Sequence, residues 1–119
     1  MINLNYRDSR PIYEQIKDGY RELLISGGIL PGEKLPSVRE LATQLAINPN
    51  TIQRAYRELE AEGYIYSVPG KGAFAASQAD VSSQRKASLL AQFDHAVSEL
   101  LYLGVEASEL CGRIKGGKK

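Results

Sequence analysis

Residues 48–63 constrain this chain more than any other stretch, because they spell a short helix with two unlike faces and a stop at each end. Asn48 offers a side-chain cap, and Pro49 suits the first helical position, where a missing N–H costs nothing. Asn50 with Gln53 offers a competing cap, so the start falls at one of two places. Gly63 closes the far end. In between, Ile52, Ala55, Tyr56 and Leu59 recur at i, i+3, i+4 and i+7, while Asn50, Gln53, Arg54 and Arg57 take the same spacing on the opposite side. The apolar face demands a core. The polar face, over residues 50–57, carries two cations and no acid.

The neighbouring segments supply that core. Residues 11–26 predict a first helix, with Pro11 at its N1 position, Ile12, Ile16, Tyr20, Leu23 and Leu24 at helical spacing, and Gly27-Gly28 at its end. A turn at residues 30–33 and an extended piece at 34–36 follow. Ser37 and Glu40 then form a capping box for a second short helix, with Val38, Leu41, Ala42 and Leu45 inward. Asn48-Pro49 forces it to stop near Ala46. Residues 64–67 and 73–76 predict a β-hairpin around the glycine-rich tip Val68-Pro69-Gly70-Lys71-Gly72.

Beyond residue 76 the composition changes. Residues 77–83 are rich in Ser, Gln, Ala and Asp and predict a linker. Residues 84–103 predict a helix with an apolar stripe of Leu89, Leu90, Phe93, Ala96, Val97, Leu100 and Leu101. Gly104 breaks it, residues 106–114 give a last short helix able to fold back as a lid, and Gly116-Gly117-Lys118-Lys119 is expected to fray. The expected organisation is thus a domain over 1–76, a linker over 77–83 and a helical tail over 84–119. The fold class is mainly α with a small β wing.

Several function classes drop out. The single cysteine, Cys111, forbids an intrachain disulfide and fits a reducing compartment, where it is expected to pack as a small apolar group. His95 has no cysteine near it in sequence, so no metal-ligand set is expected, and no nucleophile–base pair suggests an enzyme or a cofactor. Glu58, Glu60 and Glu62 are expected on the helix surface, pointing away from the polar face. The N-terminus lacks a signal-peptide layout and no apolar run approaches membrane-spanning length, so the expectation is a soluble cytoplasmic protein with no membrane partner. Gly70-Lys71-Gly72 is too short for a phosphate-binding loop. Tyr13, Tyr20, Tyr56, Tyr64 and Tyr66 are expected to pack in the core or hairpin.

Two short helices joined by a tight turn and followed by a hairpin make a winged helix-turn-helix, whose second helix enters the DNA major groove N-terminal end first. Residues 1–76 hold nine Lys/Arg and nine Asp/Glu, so DNA binding depends on where the charges sit. Asn50, Thr51, Gln53 and Arg54 are short or forked hydrogen-bonding groups suited to base edges. Arg57, Arg39 and Lys71 add positive charge on the same side. A winged helix can also serve as a protein-docking module without DNA, but the acid-free face argues against that alternative.

The order of the motifs adds to this. The first helix, Leu35-Pro36-Ser37-Val38-Arg39-Glu40-Leu41, Asn48-Pro49-Asn50-Thr51, Leu59-Glu60-Ala61-Glu62-Gly63-Tyr64-Ile65 and Gly70-Lys71-Gly72-Ala73-Phe74 follow one another as in the GntR family of bacterial transcription regulators. The resemblance covers residues 3–76. Pro11-Ile12-Tyr13-Glu14-Gln15-Ile16 and the short tail resemble its YtrA subfamily. The resemblance implies a homodimer on an inverted-repeat operator of double-stranded DNA, often repressing transporter operons. It carries DNA contact onto Arg39, onto Asn50, Thr51, Gln53 and Arg54, and onto Lys71 and Gly72 at a wing tip in the minor groove. It implies no large effector domain, and no residue set identifies a small-molecule effector. Where the family commonly has an arginine before Gly-Lys-Gly, this chain has Val68 and Pro69, so a weaker wing contact is expected. Leu89, Leu90, Phe93, Val97, Leu100 and Leu101 are expected to form the dimer interface, since so apolar a stripe needs cover and its near-heptad spacing favours another helix.

Overall fold

The computed structural model describes Ile2 and residues 4–117. It comprises α1 (Ile12–Ser26), α2 (Val38–Leu45), α3 (Pro49–Glu62), β1 (Ile65–Val68), β2 (Gly72–Ala75), a single 3-10 turn at Gln78–Asp80, α4 (Ser83–Tyr102) and α5 (Ala107–Gly117). The chain divides into two compact units, one ending at Ser82 and one beginning at Ser83.

In the first unit, α3 is the central element. Ile52, Ala55 and Leu59 are fully buried and Tyr56 nearly so, against Ile16 and Tyr20 of α1, Leu41 and Ala42 of α2, and Ile65 and Ala75 of the hairpin. Tyr20 and Tyr56 meet edge to face, with centroids 5.9 Å apart, and the Tyr56 hydroxyl donates to the Pro36 carbonyl at 2.7 Å. That bond ties the strand leading into α2 directly to α3. Burial pushes the Tyr56 phenol well above its usual range, so it remains a donor.

Local chemistry sets the boundaries. Ser37 and Glu40 complete the capping box: the Ser37 hydroxyl accepts from the Glu40 amide at 3.0 Å, and the Glu40 carboxylate accepts from the Ser37 amide at 2.9 Å. α2 stops at Ala46, the one non-glycine residue with positive φ among the described residues (55°). A three-residue turn of Ala46, Ile47 and Asn48 then leads to α3. Of the two candidate caps for α3, Asn48 acts, accepting from the Asn50 amide at 2.8 Å. Pro11 stands one place earlier than expected, at the cap of α1 instead of inside it. The hairpin pairs Ile65 with Ala75 and Val68 with Gly72. Pro69 and Gly70 (φ 78°) fill the middle of its turn in the order a type II turn requires, closed by the Lys71 amide donating to the Val68 carbonyl.

Two features were invisible to periodicity. Gln15 is buried on α1 and clips the N-terminal segment: its Oε1 accepts from the Asn5 amide, and its Nε2 donates to the carbonyls of Asn5 and Arg10. The extended piece at 33–35 pairs with β2 as a third short edge, with the Leu35 amide donating to Ala73 and the Ala75 amide donating to Glu33. The expected linker also has structure. Ser77 and Asp80 cap the 3-10 turn, Val81 packs against the core, and the Ser82 amide donates to the Glu62 carbonyl.

In the second unit α4 buries none of its residues. Leu89, Leu90, Phe93 and Leu101 are exposed, while Val97 and Leu100 are half-buried. α5 leaves this stripe open and does not act as a lid. Cys111 is exposed and is not packed as a small apolar group. Gly116 and Gly117 continue α5 where fraying was expected, and Lys118 and Lys119 lie outside the described residues.

Gly63 joins α3 to the end of the first unit. Its φ is 88°, and a Cβ there would collide with the Asp80 carbonyl. Gly63→Ala combines backbone strain with that clash, so it should lower unfolding stability by more than about 1 kcal/mol. Gly70→Ala, with open space at the Cβ position, should cost less in urea denaturation.

Candidate nucleic-acid interface

The rotation of α3 is set by its buried face, and the opposite face is what remains. Asn50, Gln53, Arg54 and Arg57 are exposed and Thr51 is half-buried. The first amides of α3 lie at the same end, adding the positive pole of the helix to this surface. Beside α3 runs an open groove whose far wall is the wing. Gln53 and Arg57 line one side, Ser67, Lys71 and Gly72 the other, and Ser37 closes one end. Arg39, in the first turn of α2, is exposed in the adjoining depression.

Among the described residues, the side chains of Arg39, Gln53, Arg57 and Lys71 make no hydrogen bond or ion pair with the rest of the chain. Lys34 joins this set, and sequence spacing did not reveal it. The short edge strand places Lys34 opposite Phe74, and its side chain reaches along the wing to Gly72, whose Cβ would stand 3.0 Å from Lys34 Cε. At that position φ is 121°, so a side chain would meet both strain and Lys34. Tyr66 and Phe74 stack on the hairpin, with centroids 5.8 Å apart, as packing instead of a free platform.

Two of the three acids of α3 are sequestered. Glu58 and Glu62 turn to α1: Lys17 Nζ donates to Glu58 Oε1 at 2.8 Å and to Glu62 Oε2 at 3.2 Å, and Arg21 donates to Glu62 Oε1 at 2.8 Å. The Lys17 hydrogen bond holds the Glu58 carboxyl below its usual range. Burial pushes Glu62 up, but the Arg21 and Lys17 contacts outweigh it and leave its carboxyl lowered as well. Glu60 departs from the expectation for the three acids. It lines the wing groove, where the Ser67 hydroxyl donates to it at 3.0 Å.

Arg54 also differs from the simple picture of a free base-reading side chain. Its guanidinium carbon lies 3.7 Å from the centroid of the Tyr13 ring, Nη2 donates to the Tyr13 hydroxyl at 3.1 Å, and Nε donates to Glu58 Oε2 at 3.3 Å. Sequence spacing could not show this, because Tyr13 is 41 residues away.

Among the described residues no cluster of His, Cys, Asp and Glu could hold a metal, and no helix is long and apolar enough to cross a membrane.

A sequence family described as bacterial regulatory proteins, gntR family, matches residues 12–75. The HTH-type transcriptional repressor YtrA of Bacillus subtilis is 40% identical, with the alignment covering 100% of this chain and 98% of that protein. A crystal structure described as a transcriptional antiterminator from Listeria monocytogenes superimposes with a TM-score of 0.83 at 36% identity, over 100% of this chain and 90% of that one. The DNA-binding domain of AraR, solved in complex with an operator, aligns with a TM-score of 0.55 at 34% identity, over 64% of this chain and 93% of that one.

The Glu58 and Glu62 pairs make stability depend on acid. A carboxylate whose folded pKa is depressed stabilises the fold above its ordinary value, about 4.3, and that contribution is lost as pH falls through the folded value. Both acids are partly exposed, so each pair should contribute about 1 kcal/mol or less. The Glu58→Gln, Glu62→Gln double variant should therefore be less stable than the parent at neutral pH and converge with it below about pH 4. Urea denaturation across that range checks this; parallel curves at all pH values would remove the ion pairs from the account.

Proposed function

The chain belongs to the GntR family and is a DNA-binding transcription regulator, and from that premise we propose that it represses transcription as a homodimer on an inverted-repeat operator. One observation carries the DNA-facing assignment: the exposed face of α3 and the wing beside it hold Gln53, Arg57, Lys71 and Lys34, whose side chains make no hydrogen bond or close ion pair among the described residues, Lys34 acting on Glu40 only at longer range. Unpaired cations on one face of a chain of net charge +1 are costly to gather unless an anion is to meet them.

In this reading α3 enters the major groove with its N-terminal end foremost. Asn50, Thr51 and Gln53 face base edges, Arg57 and Arg39 meet phosphates on either side, and Lys71 with Gly72 brings the wing to the minor groove. Lys34, lying along the wing, offsets part of the charge lost where Val68 and Pro69 replace an arginine. The operator-bound AraR domain, similar in fold and sequence, supports this orientation. The repressor sense rests on the full-length similarity to YtrA of Bacillus subtilis.

Binding of this kind is dominated by counterion release. The logarithm of affinity should fall with the logarithm of salt concentration, with a slope of about −0.9 per phosphate neutralised. Lys34→Ala and Lys71→Ala should each make the slope shallower by about that amount per half-site. Fluorescence anisotropy on an inverted-repeat duplex, titrated at several salt concentrations, reads it directly. A complex indifferent to salt contradicts the interface.

The homodimer is proposed from α4. Leu90 is 63% exposed, Phe93 47% and Leu101 48%, and a helix with that much uncovered apolar surface needs a partner. The partner's copy of the same helix matches its length and chemistry, and a two-fold pair is what two half-sites about 34 Å apart require. The structure ends the first unit at Ser82, so a fragment over 1–82 should fold as a monomer and bind DNA weakly. In the full chain, Phe93→Asp with Val97→Asp would place charges in a desolvated interface at a cost of several kcal/mol. Light scattering should then report a monomer at micromolar concentration; a variant that stays dimeric moves the interface elsewhere.

A further inference from the structure

We infer that Tyr13 is a positioning residue that commits Arg54 to the DNA backbone, leaving base reading on α3 to Asn50, Thr51 and Gln53. This deepens the DNA-binding reading above and rests on it. α1 and α3 run parallel and in register, because Tyr13–Arg54, Lys17–Glu58 and Arg21–Glu62 all pair at the same separation of 41 residues. The first turns of α1 therefore stand beside the end of α3 that carries Asn50 and Gln53. From there Tyr13 reaches the recognition surface without belonging to it.

The clamp on Arg54 has three parts. The Tyr13 ring lies against the guanidinium face at 3.7 Å, its hydroxyl accepts from Nη2, and Glu58 accepts from Nε. Glu58 is itself anchored, since its other oxygen accepts from Lys17. Two of the three guanidinium nitrogens are thus engaged, Nη2 by Tyr13 of α1 and Nε by Glu58 of α3 itself, and among the described residues Nη1 has no partner. Reading guanine takes two parallel N–H groups aimed at O6 and N7. A guanidinium held this way keeps three of its five N–H groups but cannot turn to aim them at a base edge, so with its full positive charge it suits a phosphate oxygen that comes to its flank of α3. The side chain is 54% exposed, so the phosphate can reach it without the clamp opening. Gln53, one residue earlier, has no such restraint and keeps both amide atoms for a base.

Preorganisation is what Tyr13 contributes. A free arginine loses rotamer freedom when it binds phosphate, whereas a clamped one has lost it already. The stacking contact at a partly exposed site is worth roughly two- to fivefold in affinity.

The test uses the full chain and an inverted-repeat duplex selected by the parent from a randomised pool, together with every single-base variant of that duplex. Arg54→Ala should weaken binding to all of them by one common factor and flatten the salt slope by about 0.9 per half-site. Gln53→Ala should instead change the preference at one position. Tyr13→Ala should weaken the parent by roughly two- to fivefold and have no further effect in the Arg54→Ala background. A merely structural role for Tyr13 predicts the same loss in both backgrounds. Should Tyr13→Ala fail to fold, Glu58→Gln tests the same clamp, with a loss that again vanishes when Arg54 is absent. The inference is overturned if Arg54→Ala alters preference at a single base pair, or if the Tyr13 (or Glu58) and Arg54 effects multiply. A parent that selects no duplex at all overturns the DNA-binding reading first, and that outcome is distinct from either.

Discussion

The rotation of α3 about its own axis is the quantity on which the rest of the first unit depends. Ile52, Ala55, Tyr56 and Leu59 occupy less than a third of the helix circumference, and all four are buried. Once they are in the core, no freedom remains in which side chains meet solvent. α1, α2 and the hairpin each pack on α3, so the helix is held from three sides and offers its remaining strip as a rigid surface. Rigidity matters for a surface that must meet base edges within hydrogen-bonding tolerance, and here it follows from core packing instead of from anything on the surface itself.

Charge is arranged on the same logic. A domain with no excess of bases over acids has no overall attraction for a polyanion, so its acids must be turned away from the face that needs to be positive. Parallel packing of α1 on α3 does this for two of them. Lys17 and Arg21 come from one helix, Glu58 and Glu62 from the other, and the pairs line the flank of the bundle. Glu60 is the exception: it lines the groove between α3 and the wing, where it accepts from the Ser67 hydroxyl. The cations that make no hydrogen bond or close ion pair among the described residues, Arg57, Lys71, Arg39 and Lys34, are left to the recognition side.

The elements themselves were legible because their signals are local. A capping box, an Asn-Pro start, a glycine at the ends of α1 and α3 and a Pro-Gly turn act over four or five residues, and each of those stops and starts stands within a residue of its expected place. Gly116 and Gly117, expected to fray, instead extend α5, since a short glycine pair lowers helix stability without forbidding it. Residues 77–83 read as a linker because polar composition usually means solvent, but only 77–82 stand outside α4. The structure docks them through backbone hydrogen bonds and a glycine at position 63, which leave little trace in composition.

What the sequence by itself determined is therefore the set of α-helices and the hairpin, the face that α1, α2 and α3 bury, and the family to which the motifs belong. All of these depend on periodicity or on contacts between near neighbours. Tertiary structure alone decided the fate of individual polar side chains. Gln15 is polar yet buried, because three backbone partners from the N-terminal segment surround it. Lys34 belongs to the wing surface through a strand pairing some 40 residues long in sequence. Gln53 and Arg54 are adjacent and equally polar, yet one is free and the other clamped. That difference comes from a tyrosine on another helix, and spacing along one chain segment carries no information about what a second segment brings to meet it.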